Sequence, residues 1–333
     1  MSVSSADPLL RRARWHAAEF AFWAACFACV FVFPSRALLI NEIAILGLFA
    51  VSLDLLLGYS GIVSLGHAAF YGLGAYAAGV LAKYGYGNQL LGLAVAALAS
   101  ASLGFATSFL VLRGSDLTRL MVTLGIASML YELANKTAWL TGGADGMQGI
   151  VVKPLLGLFE FDFYGRTAAL YSLTALFALF CAARRLVNSP FGLSLMALRD
   201  NPLRAASLGI PVNRRLIAVH TLAAAYAGVA GALLTQTTAF ASLDGLDFHR
   251  SADVLLVLTL GGIGYLYGGL IGAAFFKIMQ DGLAALTPQY WEFWIGVMLM
   301  VFVLAGRERL GAWPRRAWAS LAARVTRKAD APA

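Results

Sequence analysis

The sequence predicts an all-α fold, a polytopic transmembrane helical bundle of about 8–10 spans with glycine-broken helices. Three observations predict it. First, 60% of the 333 residues are hydrophobic and only 13% are charged, about half the roughly 25% that a soluble domain uses to cover its surface. Second, the apolar residues fall in runs of about 20, the length a helix needs to cross a bilayer. Third, the basic residues behind the net charge of +8 sit in tails and short loops between those runs. That distribution suits lipid headgroups and cytoplasmic loops, not nucleic acid.

Taken in order, the candidate spans are Ala17–Phe33, Ala37–Leu57, Ile62–Ala82, Gln89–Leu112, Leu117–Leu140, Thr167–Val187 and Leu216–Ala239. A segment from Ala252 broken near Gly264 follows, then Tyr267–Leu286 and Tyr290–Ala305. The first run follows Arg11, Arg12 and Arg14 as a signal peptide would, but it lacks an A-x-A-like cleavage site and is read as a retained span. Cys26 and Cys29 lie inside that run as small apolar helix residues, with no second half of a metal site nearby. With ten spans and the N-terminus inside, Arg113, Arg119, six arginines between 184 and 215 and seven basic residues from 307 to 328 all fall on the cytoplasmic side. Lys and Arg bias of this kind sets orientation, so both termini are predicted cytoplasmic. Two loops are long, 141–166 outside and 188–213 inside.

Two segments interrupt the apolar pattern with glycine. The run from Asp54 to Tyr76 includes Gly58, Ser60, Gly61, Ser64, Gly66 and His67, with two more glycines before Tyr76. The second, Leu260 to Ala273, contains Gly261, Gly262 and Gly264 and loosely echoes the first. Non-helical backbone at membrane depth is tolerated only where protein buries it or it lines a wet cavity. Paired interruptions point to a transport path, where freed backbone N–H groups can face an anionic substrate. The alternative is a small-residue packing face without ligand contact. A hairpin, a re-entrant turn or a kinked helix fits each break.

In the internal loop, Asn201 followed by Pro202 reads as an N-cap and first helical turn, and Gly209 as a stop. The short surface helix between them, with Leu203, Ala206 and Ile210 on one side and Arg204 on the other, suits docking into a partner's groove or lying on the headgroups.

The Asp54–Tyr76 run, Arg199-Asp200-Asn201 with Ala205-Ala206-x-x-Gly209-Ile210, the Ala227-Gly228-x-Ala-Gly231 span and the Gly261-Gly262-Ile-Gly264 break occur in this order. Together they resemble the LivM/LivH family, the membrane permeases of branched-chain amino acid ABC importers, over roughly Ile40 to Leu310. Asp54 departs from the pattern, standing where the family often has Asn. The apolar runs and the charge pattern predict a transmembrane permease domain over 17–306, flanked by basic cytoplasmic tails 1–16 and 307–333. The resemblance gives the terminal extensions no support and implies a bacterial inner membrane. It implies alternating access and a coupling helix over Arg199–Ile210, with Arg199, Asp200, Asn201, Arg204, Ala205, Ala206 and Gly209 engaging a cytoplasmic ATPase. The implied partners are a second, LivH-like permease subunit, two ATPase subunits and a periplasmic substrate-binding protein. No cofactor is implied. The absence of any Gly-Lys dipeptide excludes a Walker A loop here, so ATP falls to another chain and no enzymatic role is expected of this one. Within the ABC reading, urea, amides or other small carboxylates are alternative substrates.

Ionisable residues within spans are costly and usually face a bundle interior. His67 reads either as a substrate contact or as a donor to a nearby carbonyl. Lys277 and Asp281, four apart, read as a mutual pair, as do Glu132 and Lys136. Glu42 and Glu292 sit near predicted interfaces, within reach of water. An ion-coupled secondary transporter is the competing class; it needs intramembrane carboxylates and no docking helix. A membrane-embedded enzyme lacks any nucleophile–base arrangement.

Overall fold

The computed structural model describes residues 16–154 and 165–305. The predicted tails 1–16 and 307–333 lie outside the described residues, save His16. The chain divides into two units, Met1–Lys277 and Ile278–Ala333.

Ten helices correspond to the ten predicted spans: α1 (Ala17–Val32), α2 (Ala37–Ser60), α3 (Ala68–Lys83), α4 (Gln89–Val111), α5 (Asp116–Lys136), α7 (Arg166–Val187), α10 (Val212–Thr238), α11 (Phe248–Gly261), α12 (Leu266–Leu286) and α13 (Trp291–Ala305). Three short helices complete the described set, α6 (Ala138–Thr141), α8 (Pro190–Asp200) and α9 (Pro202–Ser207). No strand occurs among the described residues, only an isolated bridge between Met147 and Ala241. Six of the long helices, α2, α4, α5, α7, α10 and α12, are by length and composition able to cross a membrane. The other four have 14 to 16 residues.

In the first unit α10 is the centre, packed most extensively against α4, α3 and α2. Small residues make this closeness possible. A Cβ on Gly74 or Gly231 would overlap backbone of the facing helix, at Gly228 and Tyr71 respectively. This is the small-residue packing that substitutes for the hydrophobic effect between helices in lipid. Around this core α7 packs on α2, and Trp23 of α1 stacks edgewise on Phe177 and Phe180 of α7. A buried ion pair, Glu19 to Arg184 at 2.6 Å, reinforces that contact.

At one end of the unit, loop 142–154 folds back on the helices. Met147 N donates to the Ala241 carbonyl at 2.7 Å, and Met147, Ile150, Leu243 and Leu246 form a cluster with Tyr76. A polar layer lies nearby. Ser172 donates to Asn41, which donates to Thr237; Tyr171 donates to Gln236, which reaches the Gln89 carbonyl. Each buried amide thus finds the partner that burial demands. The opposite end carries α8 and α9.

Candidate functional site

The first glycine segment resolves into a helix, a break and a half-helix. Helix α2 continues through Gly58 to Ser60 and stops at Gly61, whose φ of 75° is left-handed. Residues 61–67 are non-helical, and α3 begins only at Ala68. The apolar run predicted from Ile62 therefore contains both backbone states, which hydropathy alone does not separate. His67 at the head of α3 lies beside Ser52, two turns above the end of α2, so the break carries the chain back into the bundle. The second segment behaves alike: α11 ends at Gly261, Gly262 and Gly264 take positive φ, and α12 starts at Leu266.

The two breaks meet. Gly264 N donates to Asp54 Oδ1 at 2.7 Å, and a Cβ on Gly58 would lie 2.6 Å from the same nitrogen. Arg199, at the end of α8, donates from Nη1 to the Gly58 carbonyl at 2.5 Å. Its Cγ would lie 2.9 Å from a Cβ on Gly61, and Nη1 would lie 3.2 Å from one on Gly264. One arginine thus touches the end of α2, the first break and the second. Asp54 is fully buried, and its Oδ2 has no hydrogen-bond partner among the described residues.

The other predicted path residues are mostly packed into protein. His67 is fully buried, stacks on Phe49 at 5.6 Å and shares a 2.9 Å hydrogen bond between Nε2 and Ser52 Oγ, a hydroxyl where a carbonyl was the expected partner. His67 Nδ1 and Ser64 Oγ are buried without a partner among the described residues. Ser60 Oγ donates to the Leu56 carbonyl at 2.5 Å. Gly66 abuts the Thr123 backbone, and Gly261 abuts Gly268. The N–H at the head of α3, a donor suited to an anionic substrate, is occupied: Ala68 N donates to Ser251 Oγ at 2.9 Å. Ser52, Thr123 and Ser251 were not legible as site residues, because a serine or threonine in an apolar run signals nothing until its partner is known.

In loop 188–213, Asn201 accepts at Oδ1 from Arg204 N at 2.9 Å and caps α9, as its sequence predicts. The left-handed Gly209 follows the helix end. Ala205 is buried against its own chain, whereas Ala206 and Gly209 are exposed. Leu203 and Leu208 expose 81% and 74% of their surface. Asp200 lies 3.5 Å from Arg199 Nε. Lys277 finds a partner on another helix, Glu42 at 3.0 Å, and Glu132 pairs with Lys136 at 3.5 Å as expected.

Two glycine-broken helix ends thus meet beside the basic loop that carries α8 and α9, within a bundle in which six of the described helices are long and apolar enough to cross a membrane. Residues 35–304 match the family model described as "Branched-chain amino acid transport system / permease component", and the chain belongs to this family. It is 32% identical over 257 residues to the high-affinity branched-chain amino acid transport system permease protein LivM of Salmonella typhimurium, and equally to LivM of Escherichia coli K12. Each match covers 70% of this chain and 60% of the LivM protein, so the chain spans about three fifths of the length of these relatives. It is 29% identical to the autoinducer 2 import system permease protein LsrC of Enterobacter sp. strain 638, over 72% of this chain and 69% of that protein. No solved structure matches.

Proposed function

We propose that this chain is the membrane permease subunit of an ATP-driven importer of branched-chain amino acids, one half of a two-permease pore in a bacterial inner membrane. Two cytoplasmic ATPase subunits and a periplasmic binding protein complete the assembly. The permease domain spans 17–306, with loop 188–213 and both basic tails on the cytoplasmic side. The observation that carries the reading is the Arg199 contact with Gly58, beside the Asp54 bond to Gly264. A force applied to α8 and α9 by an ATPase meets both helix breaks through one side chain. Breaks of this kind are the elements able to rearrange, because their backbone is not locked in a helical ladder. Leu203, Ala206, Leu208 and Gly209 form the exposed surface for docking, while Ala205 anchors the helix to its own chain.

The test is reconstitution in proteoliposomes with the ATPase and binding-protein partners, measuring ATP hydrolysis and labelled leucine uptake together. The expected result is uptake that needs ATP and the loaded binding protein. Uptake driven by an ion gradient without the ATPases overturns the reading in favour of a secondary transporter. The similarity to LsrC supports a second substrate reading, and autoinducer 2 uptake in the same vesicles discriminates it.

A further inference from the structure

Away from the helix breaks, the first unit holds a small charged cavity of about 110 Å³. Its charged lining is Glu42 from the second turn of α2, Arg250 from the first turn of α11 and Lys277 from α12; Ile45, Phe49 and Leu234 supply apolar wall. Glu42 and Lys277 pair at 3.0 Å, with Lys277 only 13% exposed and Glu42 50% exposed. Arg250 is half-buried, and its charge acts on Tyr71, which also lines the cavity. Charged groups in a helical bundle are expensive and ordinarily pair, so Arg250 beside the paired Glu42 and Lys277 gives the cavity a net positive charge suited to an anion.

We infer that this cavity is a transient binding site for a small α-amino acid zwitterion on its way through the chain. The inference rests on the amino acid importer reading above and deepens it. Arg250 receives the carboxylate, for which its planar fork is matched. Glu42 receives the ammonium, sharing it with Lys277, and Ile45, Phe49 and Leu234 receive an aliphatic side chain. The volume is well below the roughly 300–1,000 Å³ of pockets for drug-sized ligands, so the site takes only a small ligand. The half-exposed Glu42 leaves the pair reachable from outside the chain. A neutral ligand leaves the net positive charge uncompensated, so the site disfavours uncharged cargo.

The test uses the whole reconstituted importer, with binding protein saturating, in vesicles of fixed lipid composition. Leucine uptake is divided by ATP hydrolysed. Arg250→Gln and Glu42→Gln are expected to lower that ratio at least tenfold while hydrolysis continues, and Arg250→Lys to recover part of it. Leu234→Phe, which keeps every charge, is expected to lower leucine uptake relative to alanine at least threefold and serves where a charge variant fails to fold. Unchanged ratios in Arg250→Gln and Leu234→Phe overturn the site and leave the importer reading standing. A deficit in Arg250→Gln that follows the anionic lipid content of the vesicles also overturns it, assigning Arg250 to headgroups. No ATP-driven leucine uptake by the unaltered complex overturns both.

Discussion

Asp54 has one carboxyl oxygen committed to Gly264 N at 2.7 Å and the other buried without a partner. Only the first oxygen is needed to hold the second break, and an amide presents the same acceptor. Asp54→Asn is therefore expected to leave leucine uptake within about twofold of the unaltered protein. Asp54→Ala removes the acceptor, leaving a buried N–H at a cost of about 1–3 kcal/mol. Its expected signature is a lower thermal midpoint in detergent, with uptake reduced in parallel; a midpoint equal to that of Asp54→Asn sinks the argument. Gly261 permits a second residue-scale prediction. A Cβ there overlaps the Gly268 carbonyl, so Gly261→Ala forces α11 and α12 apart, and a yield of folded protein equal to wild type contradicts it. The glycines themselves were legible, because only close approach or positive φ explains such clusters between apolar runs. The Arg199–Gly58 and Asp54–Gly264 bonds were not, since their partners are 141 and 210 residues apart and nothing local encodes the pairing.

At the scale of elements, the docking loop shows what capping chemistry decides and what it leaves open. Asn201, Pro202 and Gly209 marked the start and stop of α9 from local rules, and the observed helix obeys them. The preceding helix α8, which delivers Arg199, was not read as a helix, although Pro190 stands at its first turn. Asn201→Ala removes the acceptor of Arg204 N and is expected to cost about 1 kcal/mol. Because α9 has only 6 residues, that loss frays the whole element. ATPase activation by the loaded binding protein should fall, while the thermal midpoint of the bundle barely moves. Leu203→Glu acts differently. It places a charge on a side chain already 81% exposed, so folding is unaffected and association with the ATPase subunits weakens at least tenfold in a pull-down titration. Normal association in that variant means the exposed leucines meet lipid.

For the whole molecule, orientation follows from charge, and chain length explains why the helices are unequal. At 1.5 Å per residue, the 16 residues of α3 rise about 24 Å and the 14 of α11 about 21 Å, short of the roughly 30 Å hydrocarbon core. Each is joined to its neighbour by a glycine break, at 61–67 and 262–265. Non-helical backbone of this kind can supply the missing length where protein covers it, as at the first break, where Ile62, Ser64, Gly66 and His67 are buried. Helix α7, long and apolar enough to cross, is the long described helix between loop 142–154 and the α8–α9 segment, so its crossing puts α8, α9 and Arg199 on one side and loop 142–154 on the other. The side with α8 and α9 also carries Arg113, Arg184, Arg185, Arg214 and Arg215, so the positive-inside rule predicts that side to be cytoplasmic. The expectation is tested in a background with Cys26, Cys29 and Cys181 replaced by alanine. Ala206→Cys and Gln148→Cys, both at exposed positions, are probed with a membrane-impermeant maleimide on intact spheroplasts. Gln148→Cys should label at once, and Ala206→Cys only after permeabilisation. If both label in intact spheroplasts, α7, the helix between the two positions, does not separate them across the membrane, and the alternation fails.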